Sequence, residues 1–443
     1  MAKAKILLLV DKDSDNAGDQ LVEETLTALL AGAMTNLGFP PEDVELLSRS
    51  LGIVPKKYVE TNQDSLLDAA REIVGRADVV VVEASLLGLP SHPRWNQAST
   101  ILQIARKQSV PVLFLGADVQ SLQEADRRGT GLLNSLGAPT VKLITTGGDS
   151  TPVVELLPEY VGSVVSTPSA GVLGGAVFQA QKAPASVSPG VIGLVVGRAE
   201  GINASDAEVR NFWLEVIDLL TARGLDYRLF AMGDSPDEYF LYSLVRENGI
   251  AHSKVRFIIN SAQELVHEVA ACTGVIAMNL NVGIAAYACQ IPAVNLQVEP
   301  GVLSFYRSIG HPDRAISKHD WHALQVVDSL QAAIGGGTDR NEEFTMSAYI
   351  SLFEGLKEAI DPGSPIPPYS YEQLTVNLPL VGVAHARYRD RANRKLRRAY
   401  ESHYAAVTAG KVKSGRLKSA LKRVARKLRA LAKELRGKPQ GHS

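Results

Sequence analysis

The sequence predicts a doubly wound α/β protein built as two facing Rossmann-like halves with a basic C-terminal extension. Three observations carry this. Short Val/Ile/Leu-rich runs without polar alternation recur along the chain, as expected of parallel strands buried on both faces. Amphipathic helical stretches separate them. The alternation breaks near the middle and then restarts. With 443 residues, two or more domains are expected. A hydrophobic fraction of 45% with 21% charged residues excludes a largely disordered chain.

Candidate strands are Lys5–Val10, Asp78–Glu83, Val110–Leu115, Ile192–Gly197, Tyr227–Met232, Arg256–Asn260, Gly274–Met278 and Ala293–Val298. Candidate helices between them include Gln20–Leu30, Ser65–Arg76, Ser205–Arg223 and Ala262–Cys272. Small residues, Gly and Pro fill 166–190, which reads as the connection between a first domain, 1–165, and a second, 191–360. A Pro-rich connection, 361–385, leads to a basic helical tail, 386–443. Trp95 and Trp213 read as packing residues, and Trp321 as partly exposed.

The net charge of −1 hides an asymmetry. Residues 387–443 hold 19 Lys and Arg against 3 Asp and Glu, leaving 27 basic and 44 acidic residues before them. Leu417, Leu421, Val424, Leu428, Leu431 and Leu435 form a stripe of period 3.5 within Ser414–Arg436. A basic amphipathic helix on an anionic membrane surface is the leading reading. A coiled-coil or docking helix is second, short of acidic flanks. Nucleic acid is third, because no reading module accompanies the tail. The N-terminal apolar run is too short for a signal peptide or a membrane span. Two cysteines, Cys272 and Cys289, supply neither a disulfide framework nor a metal quartet. The expected location is the cytoplasm, peripheral at the inner membrane face, with no metal and no cofactor.

Candidate site residues fall at strand ends, where open α/β sheets bind ligands. Asp11–Asp19 follows the first strand; Asn16 offers a side-chain amide, Gly18 a close backbone approach and Asp19 an acceptor. The same residues also suit a plain βα turn and a helix cap. Arg198 closes Gly190–Arg198, where it can bind a phosphate or carboxylate or simply be solvated. Gly190, Gly193 and Gly197 miss the dinucleotide spacing, and no P-loop, HExxH, CxxC or nucleophile elbow is present. Asn279 and Asn281 end another strand, before a small-residue helix and Gln290-Ile-Pro-Ala-Val294. Arg307 and His311 follow the next.

The Asn16-Ala-Gly-Asp19 loop, the Ser261–Ala271 helix, the Asn279-Leu-Asn281 step, Gln290–Val294 and Ser304–Gly310 together resemble the polysaccharide pyruvyl transferase family over about residues 5–360. The resemblance implies a GT-B-like pair of domains. It also implies transfer of a pyruvyl group from phosphoenolpyruvate to a sugar of a bacterial cell-surface polysaccharide or its lipid-linked precursor. On that reading Asp19, Asn279, Asn281 and His311 are catalytic, and Asn16, Gly18, Arg198 and Arg307 bind substrate. The sequence departs from the family at the step itself: Asn279 and Asn281 stand where the family has Arg and His, so other cations such as Arg198, Arg307 or His311 would have to hold the donor. The alternatives are a nucleotide-sugar-dependent GT-B-type glycosyltransferase and a non-catalytic, membrane-associated scaffold.

Overall fold

The computed structural model describes residues 4–11, 14, 16–87, 92–180, 190–198, 205–233, 235–256, 259, 261–298, 300–317, 321–361 and 363–378. The chain divides into compact units at Val381/Gly382. The second unit, with the Ser414–Arg436 stripe, lies outside the described residues, as does part of the 166–190 connection.

The first unit contains two six-stranded parallel sheets. The N-half sheet consists of β1 (Ala4–Leu9), β2 (Val44–Arg49), β3 (Val79–Glu83), β4 (Val112–Ala117), β5 (Val141–Thr146) and β6 (Ser163–Ser166), in the order β2-β1-β3-β4-β5-β6. The C-half sheet consists of β7 (Val191–Val195), β8 (Asp226–Phe230), β9 (Val255–Arg256), β10 (Gly274–Ala277), β11 (Ala293–Leu296) and β12 (Ala315–Ile316), in the order β12-β11-β10-β7-β8-β9. The central strands are the apolar ones. Val79, Val80, Val81 and Val82 are all buried and pair with β1 on one side and β4 on the other. β-branched side chains suit a pleated surface covered on both faces.

Helices cover both faces, and their ends follow local chemistry. Ser205 and Glu208 form a capping box at the start of the Asp206–Ala222 helix. That helix buries Trp213 against β7 and β8, while Trp95 is equally enclosed in the N half, its indole N–H donating to Leu87 O at 2.8 Å. Trp321 is half-buried, packed 5.8 Å from Phe212.

Among the described residues, three helical segments contribute most to the site's side of the join between the halves. The Ala17–Asn36 helix has most of its 20 residues buried, because it packs on its own sheet and on the Leu280–Ala288 helix of the C half. Residues 170–177 form two short helical turns lodged between those two helices, with Val172 and Leu173 1% exposed. Finally, the Glu342–Ile360 helix follows the C-half sheet but crosses back to the N half. Its Gly355 backbone lies against Leu113 and Leu143, and Tyr349 Oη accepts from Asn36 Nδ2 at 2.9 Å.

Candidate functional site

Each sheet reverses its direction of growth once. In the N half the reversal falls between β1 and β3, in the C half between β7 and β10. Such switch points open a crevice beyond the carboxyl ends of the strands, where helices on either side diverge.

At the N-half switch point lies a cleft of about 130 Å3, lined by Asp11, Asp19, Glu23, Glu83 and Arg94. Asp11 follows β1 and Glu83 ends β3. Asp19 and Glu23 lie one turn apart on the Ala17–Asn36 helix. Arg94 reaches in from the His92–Gln108 helix to pair with Asp11 at 3.0 Å. Ser14 Oγ donates to Asp19 Oδ2 at 2.5 Å, and Ser48 Oγ to Glu23 Oε1 at 3.1 Å. The cleft is thus rich in carboxylate acceptors, suited to hydroxyl or ammonium groups of a ligand. Among the described residues no group of three or more His, Cys, Asp or Glu is arranged to hold a metal ion.

At the C-half switch point, β10 runs into Asn279, whose Oδ1 accepts from Asn281 N at 2.8 Å and caps the Leu280–Ala288 helix. Asn16 does the same in the N half: its Oδ1 accepts from Gly18 N at 2.7 Å and Asp19 N at 3.4 Å. The two capped helix starts meet. A Cβ built on Gly18 would lie 2.7 Å from Asn281 Cβ, so only glycine permits this approach. Ala17 N donates to Met232 O, beyond β8, at 2.7 Å, adding a backbone bond between the halves. Asn16, Gly18, Asp19, Asn279 and Asn281 are therefore brought together, beside the acidic cleft.

Arg198 stands at the end of β7, at the same switch point as Asn279. Its backbone N–H donates to Asp237 Oδ1 at 2.7 Å, and its guanidinium forms a solvent-exposed pair with Asp206 at 3.2 Å. An exposed pair of this kind is worth at most about 1 kcal/mol, so a ligand phosphate can compete for the guanidinium. The structure does not bring Arg307 and His311 to the cleft. In the last turn of the Pro300–Ser308 helix, Tyr306 Oη lies 3.2 Å from the carbonyl of Ala293, the first residue of β11. Arg307 is exposed there, complementing the helix dipole. His311 N donates to Tyr306 O, and burial, then the Arg314 charge, lowers its ring pKa from the usual value.

Glu23, Arg94 and Ser48 are not singled out by sequence reasoning. Arg94 meets Asp11 across 83 positions, which no local pattern reveals. Glu83 has a signal: it is a carboxylate closing an all-Val run.

This arrangement, two six-stranded parallel Rossmann-like sheets in succession, is the GT-B fold. Solved structures with the same fold include a UDP-GlcNAc 2-epimerase from Methanocaldococcus jannaschii (TM-score 0.52, 11% identity, 82% of this chain and 100% of that one). A putative UDP-N-acetylglucosamine 2-epimerase from Listeria monocytogenes is similar (TM-score 0.54, 14% identity, 83% and 100%). So is the UDP-GlcNAc 2-epimerase of Neisseria meningitidis, solved bound to UDP-GlcNAc (TM-score 0.50, 13% identity, 80% and 100%). No protein-family model matches the sequence, and no curated protein matches it.

These neighbours overturn the expectation of pyruvyl transfer from phosphoenolpyruvate: they are enzymes of nucleotide sugars, not pyruvyl transferases. The site agrees with the correction. The step that should carry cations is a helix cap, Asn279, and a packing partner of Gly18, Asn281, and neither Arg307 nor His311 lines the cleft. Phosphoenolpyruvate is therefore withdrawn as a partner.

Proposed function

We propose that this chain is a nucleotide-sugar-dependent enzyme of the GT-B type, transferring a sugar to a hydroxylated glycan acceptor. The observation that carries the reading is the convergence of two Asn-capped helix starts, one from each half, at paired switch points. Each helix start presents the positive end of its dipole, which favours a diphosphate. Arg198, once released from Asp206, supplies a mobile cation on the same side. The acidic cleft takes the acceptor: Asp19 is placed to accept a proton from an attacking hydroxyl, and Asp11, Glu23 and Glu83 to hold neighbouring hydroxyls. Developing charge on the departing diphosphate is met by the helix starts.

Among the described residues no helix is long and apolar enough to cross a membrane. We infer a peripheral association with anionic lipid through the basic stripe Ser414–Arg436, which would concentrate a lipid-linked acceptor. Sedimentation with anionic liposomes before and after truncation at Ser414 tests this; unchanged binding ends it.

The nucleotide reading is tested by thermal unfolding of the full chain with UDP, UDP-GlcNAc and inorganic phosphate. A ligand at about 100 times its Kd stabilises the fold by about 2.7 kcal/mol. A midpoint raised by UDP beyond the effect of phosphate supports the proposal. An equal response to phosphate, or none, overturns it.

A further inference from the structure

We propose that Tyr306 and Asn295 are positioning residues, a buried hydrogen-bonded chain that holds the Asn279–Asn281 step in place against Gly18. The proposal rests on the nucleotide-sugar reading only for what that step binds.

Asn295 sits in β11 between Val294 and Leu296, and all three are fully buried. An amide enclosed among apolar neighbours is tolerated only if both of its ends are matched. Here they are. Nδ2 donates to Asn279 O at 2.7 Å, and Oδ1 accepts from Tyr306 Oη at 2.7 Å. Tyr306 Oη also lies 3.2 Å from Ala293 O. The phenol is enclosed, and burial raises its pKa, so it keeps its proton and remains a donor. Gly283, on the facing helix, leaves the space for this pair: a Cβ there would collide with Asn295 Oδ1 and stand 3.1 Å from the Tyr306 oxygen.

Stability alone does not account for the arrangement, because replacing both members of a buried polar pair by apolar groups of similar shape is often near neutral. What the chain does that apolar packing cannot do is direct one carbonyl. Asn279 O accepts from Val282 N at 3.3 Å, a long bond. The shorter Asn295 contact is its firmer anchor. That carbonyl belongs to the residue whose side chain caps the Leu280–Ala288 helix, and the next-but-one residue, Asn281, is the one seated on Gly18. Tyr306 thus sets Asn295, Asn295 sets the Asn279 peptide, and that peptide sets the helix start facing the N half.

The test uses the full chain carrying N295L and Y306F together, with Y306F alone as a second variant that leaves Asn295 Nδ2 on Asn279 O. Three quantities are read: the thermal midpoint, hydrogen exchange across 279–283, and the Kd for UDP. The expected result is a retained midpoint with about tenfold faster exchange confined to 279–283 and about tenfold weaker UDP binding. Unchanged exchange at a retained midpoint overturns the proposal. So does faster exchange spread evenly over the C half with a lowered midpoint, which would make the pair merely structural. UDP affinity equal to that of the wild type also overturns it. A wild-type chain that does not bind UDP removes the nucleotide reading instead, and the exchange measurement still decides the positioning role.

Discussion

Gly18 and Asn281, 263 positions apart in the chain, touch where the two halves meet: a Cβ on the first would stand 2.7 Å from the Cβ of the second. The contact is small, but it brings the first turns of two helices from separate sheets to one point. The candidate site is built around that point.

Gly18→Ala should destabilise the protein by about 1–3 kcal/mol through overpacking, even though alanine is the better helix former. Asn281→Gly removes the opposing Cβ. A double-mutant cycle by denaturant unfolding should therefore show favourable coupling, with Gly18→Ala costing less in the Asn281→Gly background. Simple additivity would show that the two residues do not constrain one another.

Asn16→Ala removes a cap that takes two backbone donors, and should cost about 1 kcal/mol, whereas Asn16→Asp should be close to neutral. Equilibrium unfolding compares the two directly; an equal loss from both would locate the role of Asn16 elsewhere than in its oxygen.

Asp19→Asn keeps the shape of the cleft and removes the proton acceptor. Sugar transfer from a nucleotide sugar should fall by about a hundredfold to ten-thousandfold, with the Kd for UDP little changed. Steady-state kinetics beside direct binding separates the two effects. Loss of UDP binding instead would move Asp19 from the acceptor to the donor side.

Burial pushes the thiols of both Cys272 and Cys289 up to about 12. At about pH 8 each is a neutral thiol as well as an enclosed one, and neither should react with a thiol reagent until the chain unfolds. Two thiols titrating in denaturant and none in the native protein is the expected count. Fast native labelling of either would contradict the packing around the Ala262–Ala270 helix.

His311 carries the pH dependence with the clearest sign. Burial and the nearby Arg314 lower its folded pKa below the usual 6.5, against the smaller opposing pull of Asp313 and Asp339. The unfolded chain then binds the proton more readily, so the stability contribution is complete above 6.5 and is lost as pH falls through the folded pKa. His311→Gln should flatten the decline of the thermal midpoint over that interval. An unchanged decline would assign it to other groups.

How much of this was legible beforehand depended on whether a property was local. Central strands such as β3 and β10 declared themselves because burial on both faces demands an uninterrupted apolar run. The edge strands β2 and β6, the two-residue β12 and the interior β5 did not: Val44-Glu-Leu-Leu-Ser-Arg49 is half-buried and mixed in polarity, like a loop, and Val141-Lys-Leu-Ile-Thr-Thr146 breaks its buried run with a lysine and two threonines. The Ala17–Asn36 helix was read short, as Gln20–Leu30, because a helix packed on several sides lacks a one-sided stripe. In the site, the residues of the two βα turns were visible because caps and close approaches draw on a small set of residue types. Arg94, Ser48 and the Tyr306–Asn295 pair were not, since each acquires its role from a partner supplied by the fold. The family resemblance followed the turn residues and so carried an activity that the fold neighbours do not share.

The return of the Glu342–Ile360 helix to the N half has a practical consequence for anyone dividing the gene. Translation of the first half alone leaves Leu113 and Leu143 without the surface that Gly355 and its neighbours provide, so the N-terminal sheet would emerge from the ribosome with a greasy face open until some 200 residues later. Cutting the coding sequence at the central connection therefore yields two fragments that each lack a wall. A fragment swap with another protein of this shape would have to carry residues 342–360 along with the N-terminal portion.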